Sequence, residues 1–482
     1  MSHSTPENKQ PNIVFILSDD QGAWAMGCAG NPEIRTPNLD RLAAEGTRFS
    51  SFFCTSPVCS PARASLLTGQ IPSQHGVHDW IREGNAGERP IQYLQGQIAY
   101  TELLAAAGYT CGLSGKWHLG DSAAPQKGFS HWYVHQAGGG PYYGASMIRD
   151  GRPVTEPGYL TEEITSDALD FLSRQDGGTP FYLGVHYTAP HSPWIDSHPK
   201  ELVDAYADCP FESCPQEPKH PWSIRTAPWA DDPRENLKGY FAAVTAMDEQ
   251  IGRILDYLDD AGLRERTLIC FLSDNGFNCG HHGIWGKGNG TFPLNMFDTS
   301  VKVPALFSQP GRIPQGRVCD ELVSGYDFMP TLLAYVGLPL PETEVARLPG
   351  RSFLELLEGR EGASREHVVI YDEYGPVRMI RSKNWKYVHR YPYGPHELYD
   401  LAADPGERRN LAEGAWPERQ PDIAARLIEL RGQLANWFAQ YADPARDGSR
   451  EPVSGLGQID LAGTAAQGRS AYVPPYPNQD GG

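Results

Sequence analysis

Residues 12–20 read NIVFILSDD, and Asn12 to Ser18 form an apolar, β-branched run without in–out alternation. A run of this kind belongs to a strand covered on both faces, which predicts a central position in a parallel sheet. Asp19 and Asp20 follow at once, with Gly22 beyond them. Two carboxylates at the carboxyl end of a buried strand are costly unless a turn solvates them or a cation relieves them, and this stretch alone leaves both readings open. A second run, Thr267 to Ser273 (TLICFLS), repeats the arrangement and ends in Asp274-Asn275-Gly276. Two parallel strands ending this way bring Asp19, Asp20, Asp274 and Asn275 to one carboxyl edge, where open α/β sheets take their ligands. The donors are all oxygen, which suits Ca2+ or Mg2+ rather than Zn2+.

Around these two strands the pattern is that of an α/β chain. Pro37 to Gly46 reads as a helix opened by proline and closed by glycine, and Thr101–Ala107, Leu160–Leu172 and Tyr326–Val336 read as further helices. Apolar residues from Leu237 to Leu258 recur at helical spacing, a long helix packed on the core. Tyr109–Leu113, Pro180–Tyr187 and Val303–Phe307 read as strands. Gly138 to Gly158, rich in Gly, Pro and Tyr, is expected to be loop on the substrate side, and the Pro-rich residues 196–235 an insertion over the site. Beyond residue 350 the runs shorten: Val368–Tyr371, Val377–Arg381, Trp385–His389 and Glu397–Leu401 predict a small antiparallel sheet, and Pro421–Tyr441 a closing amphipathic helix. The expected architecture is a large mixed, mostly parallel sheet flanked by helices over residues 10–350, a C-terminal α+β subdomain over 351–442, and a Gly/Pro-rich tail over 443–482, either wrapped on a neighbour or disordered.

The 482 residues carry a formal net charge of −18, which argues against nucleic acid or an acidic membrane as partner, while an anionic small molecule remains admissible where cations are gathered locally. No apolar run is long enough to span a membrane, and MSHSTPENKQPN at the start has no apolar core or cleavage site, so with Met1 as the start a cytoplasmic location is expected. The nine cysteines have neither zinc-ligand nor disulfide-framework spacing and read as reduced thiols, with Cys209 and Cys214 as loop thiols.

One cysteine stands apart. In residues 59–69, CSPARASLLTG, the run Ala62 to Leu67 is made of good helix formers with Pro61 suited to a first turn and no breaker until Gly69, which predicts a helix with Cys59 at its N-terminus. Orphan amide groups and the helix dipole favour negative charge there, and Arg63 lies one turn on, so Cys59 stands at the mouth of an anion site. Further along come Gly115-Lys116-Trp117-His118-Leu119-Gly120, where an extended chain would point Lys116 and His118 the same way, and Ala189-Pro190-His191-Ser192-Pro193, where prolines hold His191 at a strand end. His186, inside that strand, reads as a core residue. Gly280-His281-His282-Gly283 precedes Gly286-Lys287-Gly288-Asn289; adjacent histidines diverge, so a transition-metal pair is disfavoured. Asn289 and Thr291 are candidate substrate contacts, and Tyr142, Tyr143 and Trp194 candidates for the cavity mouth.

Cys-x-Pro-Ala-Arg followed by Leu-Thr-Gly resembles the signature of the type I sulfatases of the alkaline-phosphatase-like superfamily, and Gly-Lys-Trp-His-Leu-Gly, Pro-His-x-Pro and the His-Gly…Gly-Lys-Gly string resemble that family's further motifs, spread over about residues 10 to 440. Asp327-x-x-Pro330-Thr331 is similar to a structural stretch of the family, and the strings after Glu397 to its C-terminal subdomain. The resemblance implies that a formylglycine-generating enzyme converts Cys59 to formylglycine, whose hydrate is the nucleophile. It implies Asp19, Asp20, Asp274 and Asn275 around Ca2+ or Mg2+ with the matured residue 59 as a further ligand, Lys116, Lys287 and His191 at the substrate, and Arg63 holding the hydrate. His191, helped by Lys287, would protonate the leaving alcohol, and His118 would take up the proton of the second hydroxyl. The implied partner is a small-molecule or oligosaccharide sulfate ester, preferably a carbohydrate. Phe297-Asp298 and Lys302-Val303-Pro304 depart from the Tyr-Glu and Arg-Val-Pro common in the family, which puts the substrate class in question. Three rivals stay in view: a phosphonate monoester or phosphodiester hydrolase of the superfamily, which would carry Asp-His where Asp274-Asn275 stand; a binding protein that kept the fold; and a hydrolase using the Cys59 thiol directly.

Overall fold

The computed structural model describes residues 10–225, 232–362, 375–413 and 420–474. Its centre is a ten-stranded sheet in the order Arg317–Cys319, Thr47–Phe49, Ala305–Ser308, Thr267–Ser273, Asn12–Ser18, Phe181–His186, Thr110–Gly115, His131–His135, Ala145–Arg149, Arg152–Glu156. The five strands from Thr267–Ser273 to His131–His135 run parallel. Asn12–Ser18 and Thr267–Ser273 have the bounds read from the sequence, and they are neighbours in register, Asn12 opposite Thr267 and Ser18 opposite Ser273.

Burial on both faces accounts for the unbroken apolar run. Val14 and Ile16 pack into one layer with Leu160, Ile164, Ile251 and Leu255 of the helices Leu160–Ser173 and Pro233–Asp260. Ile13, Phe15 and Leu17 pack into the other, with Leu66, Tyr100 and Phe328 of the helices Cys59–Thr68, Tyr100–Ala106 and Phe328–Tyr335. Each such side chain contributes about 1.5–3 kcal/mol by leaving water, so the strand that carries Asp19 and Asp20 is among the most firmly held parts of the chain.

The stretch 138–158 is not all loop. Ala145–Arg149 and Arg152–Glu156 form an antiparallel hairpin at the edge of the sheet, turned at Asp150-Gly151, both with positive φ (49° and 75°). Its outer strand is largely exposed, so the apolar alternation that marks a half-buried strand is weak there.

Past residue 350, Val377–Arg381, Trp385–Arg390 and Glu397–Asp400 make the expected antiparallel sheet, and Pro421–Tyr441 lays Leu430, Leu434 and Phe438 on Ile380, Tyr387 and Leu398. The strand expected at 368–371 lies outside the described residues. Through residue 474 the tail is an ordered wrap: Gln458 pairs with Ile81, its Oε1 accepts the His78 amide at 2.9 Å, and its own amide donates to the Trp80 carbonyl at 2.7 Å. Among the described residues no helix is long and apolar enough to cross a membrane.

Candidate active site

Register alone brings the acidic strand ends together. With Ser18 opposite Ser273, Asp19, Asp20 and Asp274 place carboxylate oxygens within 4.8 Å of one another, all three residues buried. Asp20 takes a positive φ of 66°, and its amide donates to Asp274 Oδ1 at 3.3 Å, as does the Asn275 amide at 2.8 Å. Asn275 Nδ2 donates to Asp20 Oδ1 at 2.8 Å.

Three basic side chains meet these three carboxylates. Lys116 Nζ donates to Asp19 Oδ2, Lys287 Nζ to Asp20 Oδ1 at 2.5 Å, and Arg63 Nε to Asp274 Oδ2 at 2.9 Å. Burial pushes the Asp19 carboxyl up, but Lys116, with His191, Arg63 and Lys287, more than offsets it and holds it well below the usual carboxylate range. Burial and the neighbouring Asp19 push Asp274 up to about 7 despite Arg63. Asp19 Oδ1 and Asn275 Oδ1 are buried without a hydrogen-bond partner. Buried oxygens are rarely left so, and two of them in an oxygen-only cluster fit a hard divalent cation.

Cys59 opens its helix, 3% exposed, with Gly69 (φ 68°) closing it. Its Sγ lies 3.7 Å from Lys287 Nζ, so one ammonium links the acidic cluster to position 59. Burial raises the thiol above its ordinary pKa, and Lys116 and Lys287 do not overcome it. Arg63 also donates from Nη1 to the Lys116 carbonyl at 3.2 Å, and its Nη2 has no partner.

Lys116 and His118 do not sit on one extended segment: His118 has φ 55° and Trp117 turns into the core. His118 still faces the site. Its Nε2 lies 2.8 Å from the Ile81 carbonyl, which can only accept, so the proton is on Nε2 and the unpartnered Nδ1 keeps its lone pair. Burial and Lys116 hold this ring neutral, its pKa well below the ordinary value. A Cβ on Gly138 would come within 2.1 Å of the His118 ring, so only glycine lets the chain pass there. His191 donates from Nδ1 to the Ser192 carbonyl at 2.7 Å and presents Nε2 3.7 Å from Asp20 Oδ2. Burial lowers its pKa, with Asp20 and Asp19 opposing. His186 bonds the Lys116 carbonyl through Nδ1 at 3.2 Å, leaving Nε2 without a partner.

These groups floor a cavity of about 460 Å3 that exposes Asp20, Cys59, His118, His191, Lys287 and Asn289, with Asp19, Asp274 and Lys116 beneath. Asn289 donates to the tail's Gly455 carbonyl at 3.1 Å and leaves its buried Oδ1 unpartnered. Thr291 does not line the cavity, and its hydroxyl donates to the Pro293 carbonyl at 2.7 Å. Tyr142 and Trp194 are buried in the core away from the mouth, Tyr142 donating to the His191 carbonyl and Trp194 to that of Pro190, both at 2.7 Å. Trp80, Arg82, Arg225, Phe277 and Leu456 line the cavity instead, none of which the sequence pattern singled out. Arg225 alone lies in the stretch expected to cover the site. Asp298 does not line the cavity and pairs with Arg381 at 2.8 Å and Lys386 at 2.6 Å, so the Phe297-Asp298 departure bears on how the C-terminal subdomain packs. His281 and His282 also face elsewhere: His281 Nε2 lies 3.0 Å from the Ser213 carbonyl, and His282 stacks on Phe297 with centroids 3.9 Å apart.

Residues 11–338 match the family described as sulfatase, and residues 280–433 the C-terminal region of N-sulphoglucosamine sulphohydrolase. An N-acetylglucosamine-6-O-sulfatase of Bacteroides thetaiotaomicron is 28% identical, covering 89% of this chain and 87% of the relative. An ulvan-active sulfatase of Formosa agariphila is 31% identical over 90% of this chain and 83% of its own. A structure solved in complex with its substrate, D-glucosamine-2-N,6-O-disulfate, superposes with a TM-score of 0.77 at 27% identity, covering 92% of this chain and 100% of the other.

Proposed function

The chain belongs to the sulfatase family and is a sulfuric ester hydrolase, and from that premise we propose that it cleaves a carbohydrate sulfate monoester with position 59 matured from cysteine to formylglycine. The observation that carries this reading is Lys287, whose ammonium reaches both Asp20 (2.5 Å) and Cys59 (3.7 Å) on the floor of an open cavity. The raised pKa of the encoded thiol disfavours a working thiolate. Formylglycine at that position supplies a hydrated aldehyde oxygen as nucleophile in the thiol's place. Asp19, Asp20, Asp274 and Asn275 would hold Ca2+ or Mg2+, which supplies Lewis-acid stabilisation of the sulfate charge and a lowered hydroxyl pKa.

The other roles follow from protonation state and placement. Lys287, with Lys116 beneath, sets positive charge where the non-bridging sulfate oxygens lie. Arg63 fixes the orientation of Asp274, whose carboxylate is placed to accept the proton of the attacking hydroxyl. Neutral His118, its Nδ1 lone pair free, can take a proton from position 59 as sulfate departs. The Nε2 of His191 points towards the cavity, and because Nδ1 already donates to the Ser192 carbonyl, His191 is the acid for the departing alcohol in its doubly protonated form, which the charges of Asp20 and Asp19 favour against burial. The sulfated sugars bound or cleaved by the relatives support a sugar ester as substrate.

The test is the protein co-expressed with a formylglycine-generating enzyme, conversion at Cys59 checked by intact mass, and offered sulfated sugars, aryl sulfates and phosphodiesters. Sulfated sugars are expected to turn over fastest, with loss on chelation and recovery on adding Ca2+ or Mg2+. Faster phosphodiester hydrolysis, or full activity with an unmodified, alkylatable Cys59, would overturn the reading.

A further inference from the structure

The cavity above Cys59 does not end at its mouth. A second cavity of about 710 Å3 adjoins it, and Arg82, Asn85 and Ala137 line both. Its volume falls in the range of about 300–1,000 Å3 usual for ligand sites. One wall is the segment after Ile81 and the other is the tail, which contributes Ile459, Asp460, Arg469 and Ser470.

Three features of this groove point to a ligand. Arg82 stands at the junction, its guanidinium 5.9 Å from the Trp80 ring centroid and its Nη1 donating to the Leu456 carbonyl at 3.3 Å, so the tail holds a fork with further N–H groups to offer. Arg469 is oriented by Asp460, Nε to Oδ2 at 2.9 Å and Nη2 to Oδ1 at 3.2 Å, and Arg89 lines the same groove. Asn85, 7% exposed, donates to the Ile81 carbonyl at 3.2 Å and leaves its buried Oδ1 without a partner, an acceptor at the passage between the two cavities. Three arginines against Glu83 and Asp460 leave local positive charge on a chain whose net charge is −18. Guanidinium groups match planar or tetrahedral oxyanions, and the acceptor on Asn85 matches a sugar hydroxyl.

We infer that this groove is a second anion subsite, which takes the sugar next to the one being desulfated and recognises an anionic group on it, with Arg82 and Arg89 as the specificity-determining residues. The inference rests on the carbohydrate reading above and narrows it to oligosaccharides carrying a second sulfate ester or a carboxylate.

The experiment uses the matured, full-length protein and three disaccharides that share one sulfated end and differ in the second sugar: sulfated, carboxylated or uncharged. The wild type is expected to favour one or both charged disaccharides about tenfold in kcat/KM, mainly through KM, and whichever is favoured names the second anion. Arg82→Gln and Arg89→Gln should each erase most of that preference. Equal turnover of charged and uncharged disaccharides by the wild type, or a preference that survives both substitutions, would overturn the subsite. Calorimetric titration of Cys59→Ala with the same disaccharides reads the groove without turnover: tighter binding of a charged one that Arg89→Gln abolishes upholds it, and equal affinities overturn it. A wild type that binds charged disaccharides in this way yet hydrolyses no sulfate ester would count against the esterase reading and leave the groove standing.

Discussion

Two buried clusters of charge in this molecule have nearly the same ingredients and opposite finishes. At the sheet edge, Asp19, Asp20 and Asp274 meet Lys116, Lys287 and Arg63. Where the C-terminal subdomain docks, Asp298 and Glu407 meet Lys386 and Arg381: Lys386 Nζ lies 2.5 Å from Glu407 and 2.6 Å from Asp298 and donates to the Met296 carbonyl at 2.9 Å, while the Asp298 amide donates to Glu407 at 2.6 Å. No side-chain atom of the docking cluster is left without a partner, whereas the sheet-edge cluster and its surroundings leave Asp19 Oδ1, Asn275 Oδ1, Arg63 Nη2 and His118 Nδ1 unpaired. The docking cluster is complete in itself and holds two parts of the chain together. On the function proposed above, a cation and a ligand complete the sheet-edge cluster, which makes its unpaired atoms a better mark of function than its charge.

The comparison predicts that the two clusters fail in different currencies. Cys59→Ala should cut kcat/KM by at least about 10³-fold while shifting stability by no more than about 1 kcal/mol, measured as steady-state rate and denaturant unfolding of the matured protein. Lys386→Met should do the reverse, since it leaves Glu407 as an uncompensated buried carboxylate and Asp298 with Arg381 as its one remaining partner. A stability loss of about 3–5 kcal/mol is expected, with the folded fraction turning over within about twofold of wild type, and adding Glu407→Leu should recover part of the loss. Lys287→Ala should raise the barrier by about 3 kcal/mol, on the order of a hundredfold in rate, with a smaller stability cost than Lys386→Met because water in the open cavity can solvate Asp20. If Lys386→Met slowed turnover as much as Lys287→Ala, the division into a structural and a catalytic cluster would not hold.

How much of this could be read from the chain followed from how local the physics is. Asn12–Ser18 and Thr267–Ser273 were legible to the residue because burial on both faces leaves a continuous apolar run, and their shared acidic endings foretold the cluster that register then produces. The helix on Cys59 was legible from its proline and glycine. The edge hairpin at 145–156 was missed although Asp150-Gly151 is a strong turn signal, since its outer strand has little apolar face to alternate. Trp194 was misplaced at the mouth because nearness to His191 in sequence does not fix side-chain direction, and its indole points into the core. Asn85, Arg82 and the tail residues Gly455 and Leu456 could not be found by pattern: they come from irregular segments far apart in sequence, Arg82 and Leu456 by 374 positions, that meet only in the folded chain.

The smallest expected effect sharpens the comparison most, because it changes burial while keeping the interface. Arg408, next to Glu407, reaches from the C-terminal subdomain to Glu217, with Nη2 donating to Oε1 at 2.7 Å, but its side chain is 55% exposed where that of Lys386 is 0% exposed. An exposed pair gains little Coulomb energy beyond what water already provides, so Arg408→Ala should cost less than about 1 kcal/mol. That cost should shrink further in 1 M salt, where screening reaches down to about 3 Å. The loss from Lys386→Met should persist in the same salt, because ions do not enter its site. Denaturant unfolding of both variants at low and high ionic strength separates the two cases. An Arg408→Ala loss as large and as salt-insensitive as that of Lys386→Met would mean that shape at the subdomain junction, and not the burial of charge, decides how firmly it is held.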